Sequence, residues 1–513
     1  MLERELKFYV PARKRASLEK RLRKDGATDL PLHACYFDTQ DHELAKRKIA
    51  LRVRQEGELW VQTIKTPGPD ELSRIEINHP RPGPTLDLGI YEGTSVEGLL
   101  SGLEHPLTLR YETQVQRLVL KMECGNSEVE LAYDQGVIKS GGLELPLCEL
   151  ELELVTGDTA GLFELAGQWL KKYGLILDLR SKAERGDALA RLAPKHSNSK
   201  DINDKDATPQ ALPWPQLLKP RRAGPILLTP DLTMQQAYQR CATDCINQII
   251  RNTTFLAAAE GAQAMASTRV DYVHQIRVGI RRIRSCWKFF GKWIDLNESQ
   301  AEAELRNYFS QLGKIRDRDV IDLVITPRLV AAGMPELELP PNSDSDDGSI
   351  PALAASPRVQ AILLTLLQHL TDTEIAARNP EKDVKPGKAM IKRLNKRIDA
   401  LCEQGEHFVQ LSIEDQHRLR KRLKGLRYSM EFAGSLLAEK RLARLREALI
   451  TAQHTLGDLN DLYIADDFYR PLIAAQPQAY FAIGWLHAMQ EQKKAEAQGN
   501  FTRLHKAGRF KKA

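Results

Sequence analysis

Glu3, Glu5 and Lys7 stand at alternate positions near the start of the chain. On a β-strand that spacing puts two carboxylates and an ammonium on one face and Arg4, Leu6 and Phe8 on the other. One charged strand face alone is ordinary solvated surface. Farther on, however, Arg52 and Arg54 alternate with Leu51 and Val53, Lys65 closes an alternating run that begins at Leu59, and Glu149, Glu151 and Glu153 alternate with Leu150, Leu152 and Leu154. Three carboxylates in a row on one strand repel one another unless cations compensate. Clustered carboxylates beside clustered basic groups suit a polyanion chelated to a divalent cation. Hard carboxylate oxygens hold Mg²⁺ or Mn²⁺, while Arg and Lys hold phosphate oxygens. Such ions neutralise charge on phosphoryl oxygens and lower the pKa of a bound water, so no Cys or Ser nucleophile is needed.

The elements that must position these residues are short strands. Glu3 to Lys7, Ala34 to Asp38, Ile49 to Arg54, Leu59 to Lys65, Ser73 to Ile77, Tyr111 to Leu120, Glu128 to Asp134 and Cys148 to Leu154 read as strands. Arg13 to Lys24 and Gly161 to Tyr173 read as helices, and the second offers a surface for Leu150, Leu152 and Leu154 to pack on. Many strands with few intervening helices argue an antiparallel sheet or barrel rather than βαβ units.

The chain of 513 residues is too long for one core, so two or three domains are expected. Its net charge of +6 is small for that length, so local clustering must carry any argument about partners. Seven scattered cysteines, an odd number, fit free thiols in a reducing compartment, and no metal site is expected at Cys241 and Cys245. The start has no apolar h-region, and no apolar run approaches the roughly 20 residues of a membrane span. A cytoplasmic protein without membrane association is expected.

Here the sequence resembles the CYTH superfamily, the triphosphate tunnel metalloenzymes. The resemblance rests on Glu3-Arg4-Glu5-Leu6-Lys7, Leu51-Arg52-Val53-Arg54, Thr63-Ile64-Lys65, Arg74-Ile75-Glu76, Asp134-Gln135-Gly136, the run from Cys148 to Leu154, and Ser181-Lys182-Ala183-Glu184-Arg185-Gly186. It implies an eight-stranded antiparallel tunnel over residues 1–193 that binds a triphosphate and two metal ions. By the same resemblance Glu3, Glu5, Asp134, Glu149 and Glu151 are metal-side carboxylates. Lys7, Arg52, Arg54, Lys65, Arg117, Lys139 and Lys182 are phosphate-side cations. Glu3, Glu5, Lys7, Glu149 and Glu151 are the catalytic set, with Glu76, Glu153, Arg74 and Arg185 in lesser or supporting places. Trp60 is the residue offered for an aromatic slot, though its place on an alternating strand suits a core.

Residues 194–232 are polar and then proline-punctuated, which reads as a linker. From Thr233 the pattern is helical, broken between Met334 and Pro357 by an acidic loop. His274, Arg277, Arg281, Arg284 and Lys288 form one basic stripe, bordering the apolar stripe of Val273, Ile276, Ile280, Ile283, Trp287 and Phe290. His417, Arg420, Lys424 and Arg427 form a second, beside Leu419, Leu423, Leu426 and Met430. Related motifs follow each stripe, Leu312 to Asp319 after the first and Leu456 to Asp461 after the second. This internal repeat suggests two helical bundles related by an approximate two-fold and facing each other across a basic groove, which attracts a polyanion.

The stripes resemble the CHAD domain, the conserved histidine α-helical domain, over residues 233–494, with a polar basic tail at 495–513. That resemblance implies binding of inorganic polyphosphate by the two stripes, with Lys388, Lys392 and Arg393 as further contributors. The expected fold class is therefore multidomain α+β, a β tunnel followed by an all-α domain. The function expected first is a Mg²⁺- or Mn²⁺-dependent inorganic triphosphatase that cuts tripolyphosphate to pyrophosphate and phosphate. The alternatives are a thiamine or nucleoside triphosphate-directed enzyme and a polyphosphate-binding protein with little turnover. Nucleic acid is disfavoured, because no base-stacking array is evident.

Overall fold

Alternation governs the first part of the chain. The computed structural model describes residues 2–70, 72–193, 217, 219–258, 269–296, 299–340, 349–371 and 384–510. Nine strands form one sheet: β1 (Leu2–Tyr9), β2 (Thr28–Asp38), β3 (Ala50–Glu56), β4 (Leu59–Pro67), β5 (Ser73–Arg81), β6 (Thr108–Cys124), β7 (Ser127–Ser140), β8 (Leu143–Thr156) and β9 (Ile176–Leu177). Their order is β5-β4-β3-β2-β6-β7-β8-β1-β9, and β5 pairs again with β1. That last pairing closes eight antiparallel strands into a barrel and removes its edges. The expected tunnel architecture is thus present, with β9 added beside β1.

Period two separates core from interior on each strand. Leu6 and Phe8 on β1, Leu51 and Val53 on β3, and Leu150 and Leu152 on β8 are fully buried on the outer side of the barrel wall. Helix α4 (Thr159–Tyr173) packs on β7 and β8, as the apolar face of β8 required. Its first turn is capped by Asp158, which accepts from the Gly161 amide at 3.2 Å, and Gly174 ends it in the left-handed conformation. The smaller helices α1 (Ala12–Lys24), α2 (Glu43–Lys46) and α3 (Glu97–Ser101) flank the strands.

Helix α5 (Lys182–Leu192) matters most to the interior. Ser181 caps it by accepting from the Glu184 amide at 3.0 Å, the S-x-x-E pattern of a helix start. Lys182, Arg185, Gly186 and Leu189 then fall on one stripe, at spacings of three and four. Leu189 and Ala190 join Tyr36, Tyr111, Val115, Ile138, Leu145 and Leu147 in an apolar cluster. A Cβ at Gly186 would stand 2.2 Å from the Tyr111 ring, so the ring packs against bare helix backbone there.

Among the described residues ten further α-helices follow: α6 (Met234–Ala257), α7 (Arg269–Phe290), α8 (Ser299–Val320), α9 (Thr326–Ala331), α10 (Ser349–Ala354), α11 (Pro357–Thr371), α12 (Pro386–Gly405), α13 (Ile413–Phe432), α14 (Glu439–Tyr469) and α15 (Tyr480–Ala507). The last four pack as a closed ring, α12 on α13, α13 on α14, α14 on α15 and α15 on α12. Phe501 and Leu504 are buried in α15, so the segment read as a polar tail is helical to Ala507 and contributes to a core. A Cβ at Gly279 would lie 2.7 Å from the Ile249 side chain, which explains the glycine inside the first basic helix. Most of the proposed linker and the middle of the acidic loop, 194–216 and 341–348, lie outside the described residues.

Two units do not follow chain order. One comprises Met1–Arg221, Ile250–Tyr272 and Pro351–Thr371, and the other Arg222–Ile249, Val273–Ile350 and Asp372–Ala513. Within the first, short strand β9 is completed by side chains from later segments. The Leu177 amide donates to Gln360 Oε1 at 2.9 Å, and the Leu177 carbonyl accepts from the Thr254 hydroxyl at 2.6 Å.

Candidate functional site

The charged residues of the barrel meet because their registers place them opposite one another. Lys7 lies across from Glu151, Arg117 from Asp134, Asp134 from Glu149, and Lys65 from Glu76. Directly paired positions share a face, so each pair points into the barrel. Asp134, Glu149 and Glu151 offer oxygens that all lie within 4.8 Å of one another. Around them Arg117 holds Asp134 at 2.7 Å and Glu151 at 2.8 Å. Lys182 reaches Asp134 at 2.6 Å and Glu151 at 3.0 Å and also pairs with Glu149, as does Arg185. Lys7 pairs with Glu5 and reaches Glu151 at 3.3 Å.

A second group of carboxylates lies around Lys65, which contacts Glu3 at 2.6 Å and Glu76 at 2.8 Å. Arg52 approaches Glu76 at 3.8 Å and the Tyr36 hydroxyl at 3.5 Å. The five carboxylates expected to face metal are therefore divided: three are gathered in one cluster, Glu5 is linked to it through Lys7, and Glu3 sits with Glu76.

Burial is the largest influence on nearly all of these groups, and their partners oppose it. Burial works against ionisation of Glu151, yet Lys182, Lys7 and Arg117 hold its carboxyl well below the usual range. Asp134 is held down against burial by Arg117 and Lys182, and Glu5 against burial by Lys7. The cations gain correspondingly: burial would discharge Lys182, but Asp134, Glu149 and Glu151 keep it charged. Glu3 goes the other way. Burial pushes its carboxyl up, Lys65 only partly offsets this, and its hydrogen bond with Glu76 adds to the rise. Glu76 is held low despite burial by that same hydrogen bond and by Lys65 and Arg52, so Glu3 is the more readily protonated member of the pair.

Three more of the residues singled out in the sequence are placed as follows. Lys139 is not brought to the cluster: it is five residues beyond Asp134 on an unbroken register, hence on the opposite face, where it pairs with Glu144 at 2.9 Å. Trp60 shares its face of β4 with Gln62 and the fully buried Ile64, away from Lys65, so it does not line the tunnel. Arg54 lies in the interior and pairs with Glu56 on its own strand. Conversely, Arg185 and Glu76 are half-buried partners at the centre of the two groups. Tyr36 was not singled out; its ring stacks on Tyr111 with centroids 4.7 Å apart. Only strand pairing could have revealed it, since its own segment reads as an ordinary alternating strand.

In the second unit the two basic stripes come together on α7 and α13. Lys424 feels Arg420 on its own helix, Arg281 and Arg277 from α7, and Asp461 from α14. Burial and those arginines push its ammonium down to about 6, with Asp461 opposing. Arg281 and Arg427 both hydrogen-bond Tyr428. The repeat also acquires a physical reason. Arg277 donates to the carbonyls of Leu312 and Gly313 at 3.3 Å, and Arg420 donates to Asn460 Oδ1 at 2.9 Å. Each stripe is thus tied to the related motif that follows it.

The other stripe members differ in setting. Arg284 is drawn to Glu302 at 3.3 Å, His274 and Lys288 are exposed, and His417 packs edge-on against Tyr463. Lys388 and Lys392 are exposed, while Arg393 donates to the Lys288 carbonyl at 2.8 Å and lies over Trp293. Arg282, between the stripe positions, is a core residue: fully buried, it is bound to Asp244 at 2.8 Å, Glu431 at 2.7 Å and Gln248 at 2.8 Å.

A closed barrel lined by paired carboxylates and cations, followed by helices that carry two converging basic stripes, defines a two-domain class. Residues 1–186 match the CYTH domain and residues 249–470 the CHAD domain. Among relatives, it is 35% identical over 159 residues to an inorganic triphosphatase of Haemophilus influenzae, a match covering 29% of this chain and 44% of that protein. The chain thus spans less than half the length of that relative. The solved CHAD domain of Ricinus communis is 26% identical, with a TM-score of 0.47, over 57% of this chain and 98% of its own. The PH1819 protein of Pyrococcus horikoshii is 22% identical, with a TM-score of 0.25, over 36% of this chain and 96% of its own. Among the described residues no helix is long and apolar enough to cross a membrane.

Proposed function

We propose that the barrel is a metal-dependent inorganic triphosphatase that hydrolyses tripolyphosphate to pyrophosphate and phosphate, and that the helical domain binds inorganic polyphosphate. The observation that carries the reading is the pairing of every central cation with a carboxylate inside a closed barrel. Such pairs can be exchanged when a chelated polyanion enters. Lys7, Arg52, Arg54, Lys65, Arg117 and Lys182 release carboxylates and take phosphate oxygens, the guanidinium groups in bidentate fashion. Asp134, Glu149 and Glu151 are the freed hard-oxygen donors for Mg²⁺ or Mn²⁺, with Glu5 and Glu3 beside them; three carboxylates within 4.8 Å fit such an ion. Bound there, the metal supplies neutralisation of phosphoryl charge and activation of water.

The protein's own groups orient the chain of phosphates and keep it from bulk water. The apolar cluster around Leu189 lies in the same interior and supports a substrate confined to the charged stretch. The stacking of Tyr36 on Tyr111 supports an inorganic substrate over one with an aromatic base, because each ring already occupies a face of the other.

The test offers tripolyphosphate, thiamine triphosphate and ATP side by side to the purified chain with Mg²⁺ or Mn²⁺. Preferential release of phosphate from tripolyphosphate is expected, and Glu151→Gln should lower it about 100-fold. A strong preference for either organic triphosphate overturns the substrate; full activity of Glu151→Gln overturns the site.

A further inference from the structure

The outer face of the barrel carries a second set of metal-ligating side chains, separate from the tunnel. His33 and Cys35 are two residues apart on β2 and so share a face, and β6 places Glu112 directly opposite Cys35. His33 Nε2 lies 3.2 Å from one Glu112 oxygen, and Cys35 Sγ lies 3.9 Å from the other. One donor atom from each of the three falls within 4.8 Å of the other two, and all three residues are partly buried. Tyr36 and Tyr111, their immediate chain neighbours, point to the interior instead. The nearest basic neighbour in register, Lys139 opposite Glu112, is engaged by Glu144.

The donor set differs in kind from that of the tunnel. Sulfur and imidazole nitrogen favour zinc and similar borderline ions over Mg²⁺, which prefers hard oxygens. In a tetrahedral zinc site with bonds of about 2.0–2.3 Å, donors stand roughly 3.3–3.8 Å apart, close to the spacings seen here. Two paired strands of a closed barrel hold the three side chains without a mobile loop.

We propose that His33, Cys35 and Glu112 form a zinc site on the outer wall of the barrel, with solvent as the fourth ligand. Binding deprotonates the thiol and releases that proton to water, so thiolate and carboxylate together balance the dication; no redox step is involved. The ion cross-links β2 to β6 behind the tyrosine pair that stands in the tunnel. The site is independent of the triphosphatase reading, because none of its ligands lies in the interior.

The test uses the full chain, stripped of metal and then held in excess Mg²⁺ to fill the carboxylate site. Titration with Co²⁺ should give a thiolate-to-cobalt charge-transfer band that saturates at one equivalent, and Zn²⁺ should abolish it. Cys35→Ser should lose the band, His33→Gln should weaken binding at least about tenfold, and Cys124→Ser should keep it. Zn²⁺ should raise the Tm of the wild type and leave that of Cys35→Ser unchanged. If Cys35→Ser does not fold, His33→Gln and the wild-type titration carry the decision. Absence of a thiolate band in the wild type, or its survival without Cys35 or at full strength without His33, overturns the site.

Discussion

Lys424 offers the sharpest test of the helical domain, because its charge state is set by the cluster it belongs to. Burial, then Arg420 and Arg281, push its ammonium from 10.5 down to about 6, with Arg277 adding to this and Asp461 opposing. At about pH 7.5 such a lysine is roughly 3% charged. A bound polyanion reverses the balance of the site and restores the charge, so binding takes up close to one proton. Charging the lysine at that pH costs about 2 kcal/mol, and polyphosphate affinity should fall by about tenfold per pH unit above pH 6.

The assay is calorimetric titration with polyphosphate in two buffers of different ionisation enthalpy, repeated across that pH range. His417 on the same stripe is also pushed down, by burial and then by Arg420 and Lys421 against Asp467, so its protonation adds to the uptake. Lys424→Met isolates the lysine: about one proton fewer should be taken up, and the pH slope should flatten. The same substitution should stabilise the free protein. The folded pKa lies below the unfolded one, so the unfolded chain binds more protons between about pH 6 and 10.5, and native stability is lost as pH falls through that window. At about pH 7.5 the gain is about 4 kcal/mol at most. Equal proton uptake by wild type and Lys424→Met refutes the reasoning.

Three other outcomes follow from particular contacts. Arg281→Glu should weaken polyphosphate binding at least tenfold, about 1.4 kcal/mol, and make it less salt-dependent, while hydrolysis of tripolyphosphate is retained; a competition assay at two salt concentrations checks this. Gln360→Ala leaves the buried Leu177 amide without its acceptor and should cost about 1–3 kcal/mol in urea unfolding, whereas a neutral result would show that water replaces the side chain. Gly186→Ala forces a methyl to within 2.2 Å of the Tyr111 ring and should cost about 1–3 kcal/mol, and because α5 also carries Lys182 and Arg185, it should lower turnover of tripolyphosphate in kinetic assays.

The strands were legible because a two-residue period writes both faces into the sequence: Glu149, Glu151 and Glu153 had to point one way and the leucines between them the other. What alternation cannot state is which strand lies beside which. Alternation alone puts Lys139, five residues beyond Asp134 on β7, on the outer face, against what the resemblance implies, whereas Tyr36 meets Arg52 and Tyr111 only through the pairing of β2 with β3 and β6. The same gap hid His33, Cys35 and Glu112, whose donors are separated by up to 79 residues in sequence and meet only across a register. In the helices the period of 3.6 revealed two basic stripes, yet it could not separate Arg282, buried against Asp244 and Glu431, from the arginines around it. Within a cationic stripe the residues that meet a ligand and those that hold helices together have the same side chain. Only the acidic partners on neighbouring helices distinguish them: Arg282 has two carboxylates at hydrogen-bonding distance, while Lys424 is surrounded by arginines and has one opposing aspartate. A buried cation with matched anions is held by the fold, and a lysine whose neighbours repel its charge marks the place where an anion from outside would restore it, which the proton uptake of the wild type and Lys424→Met tests.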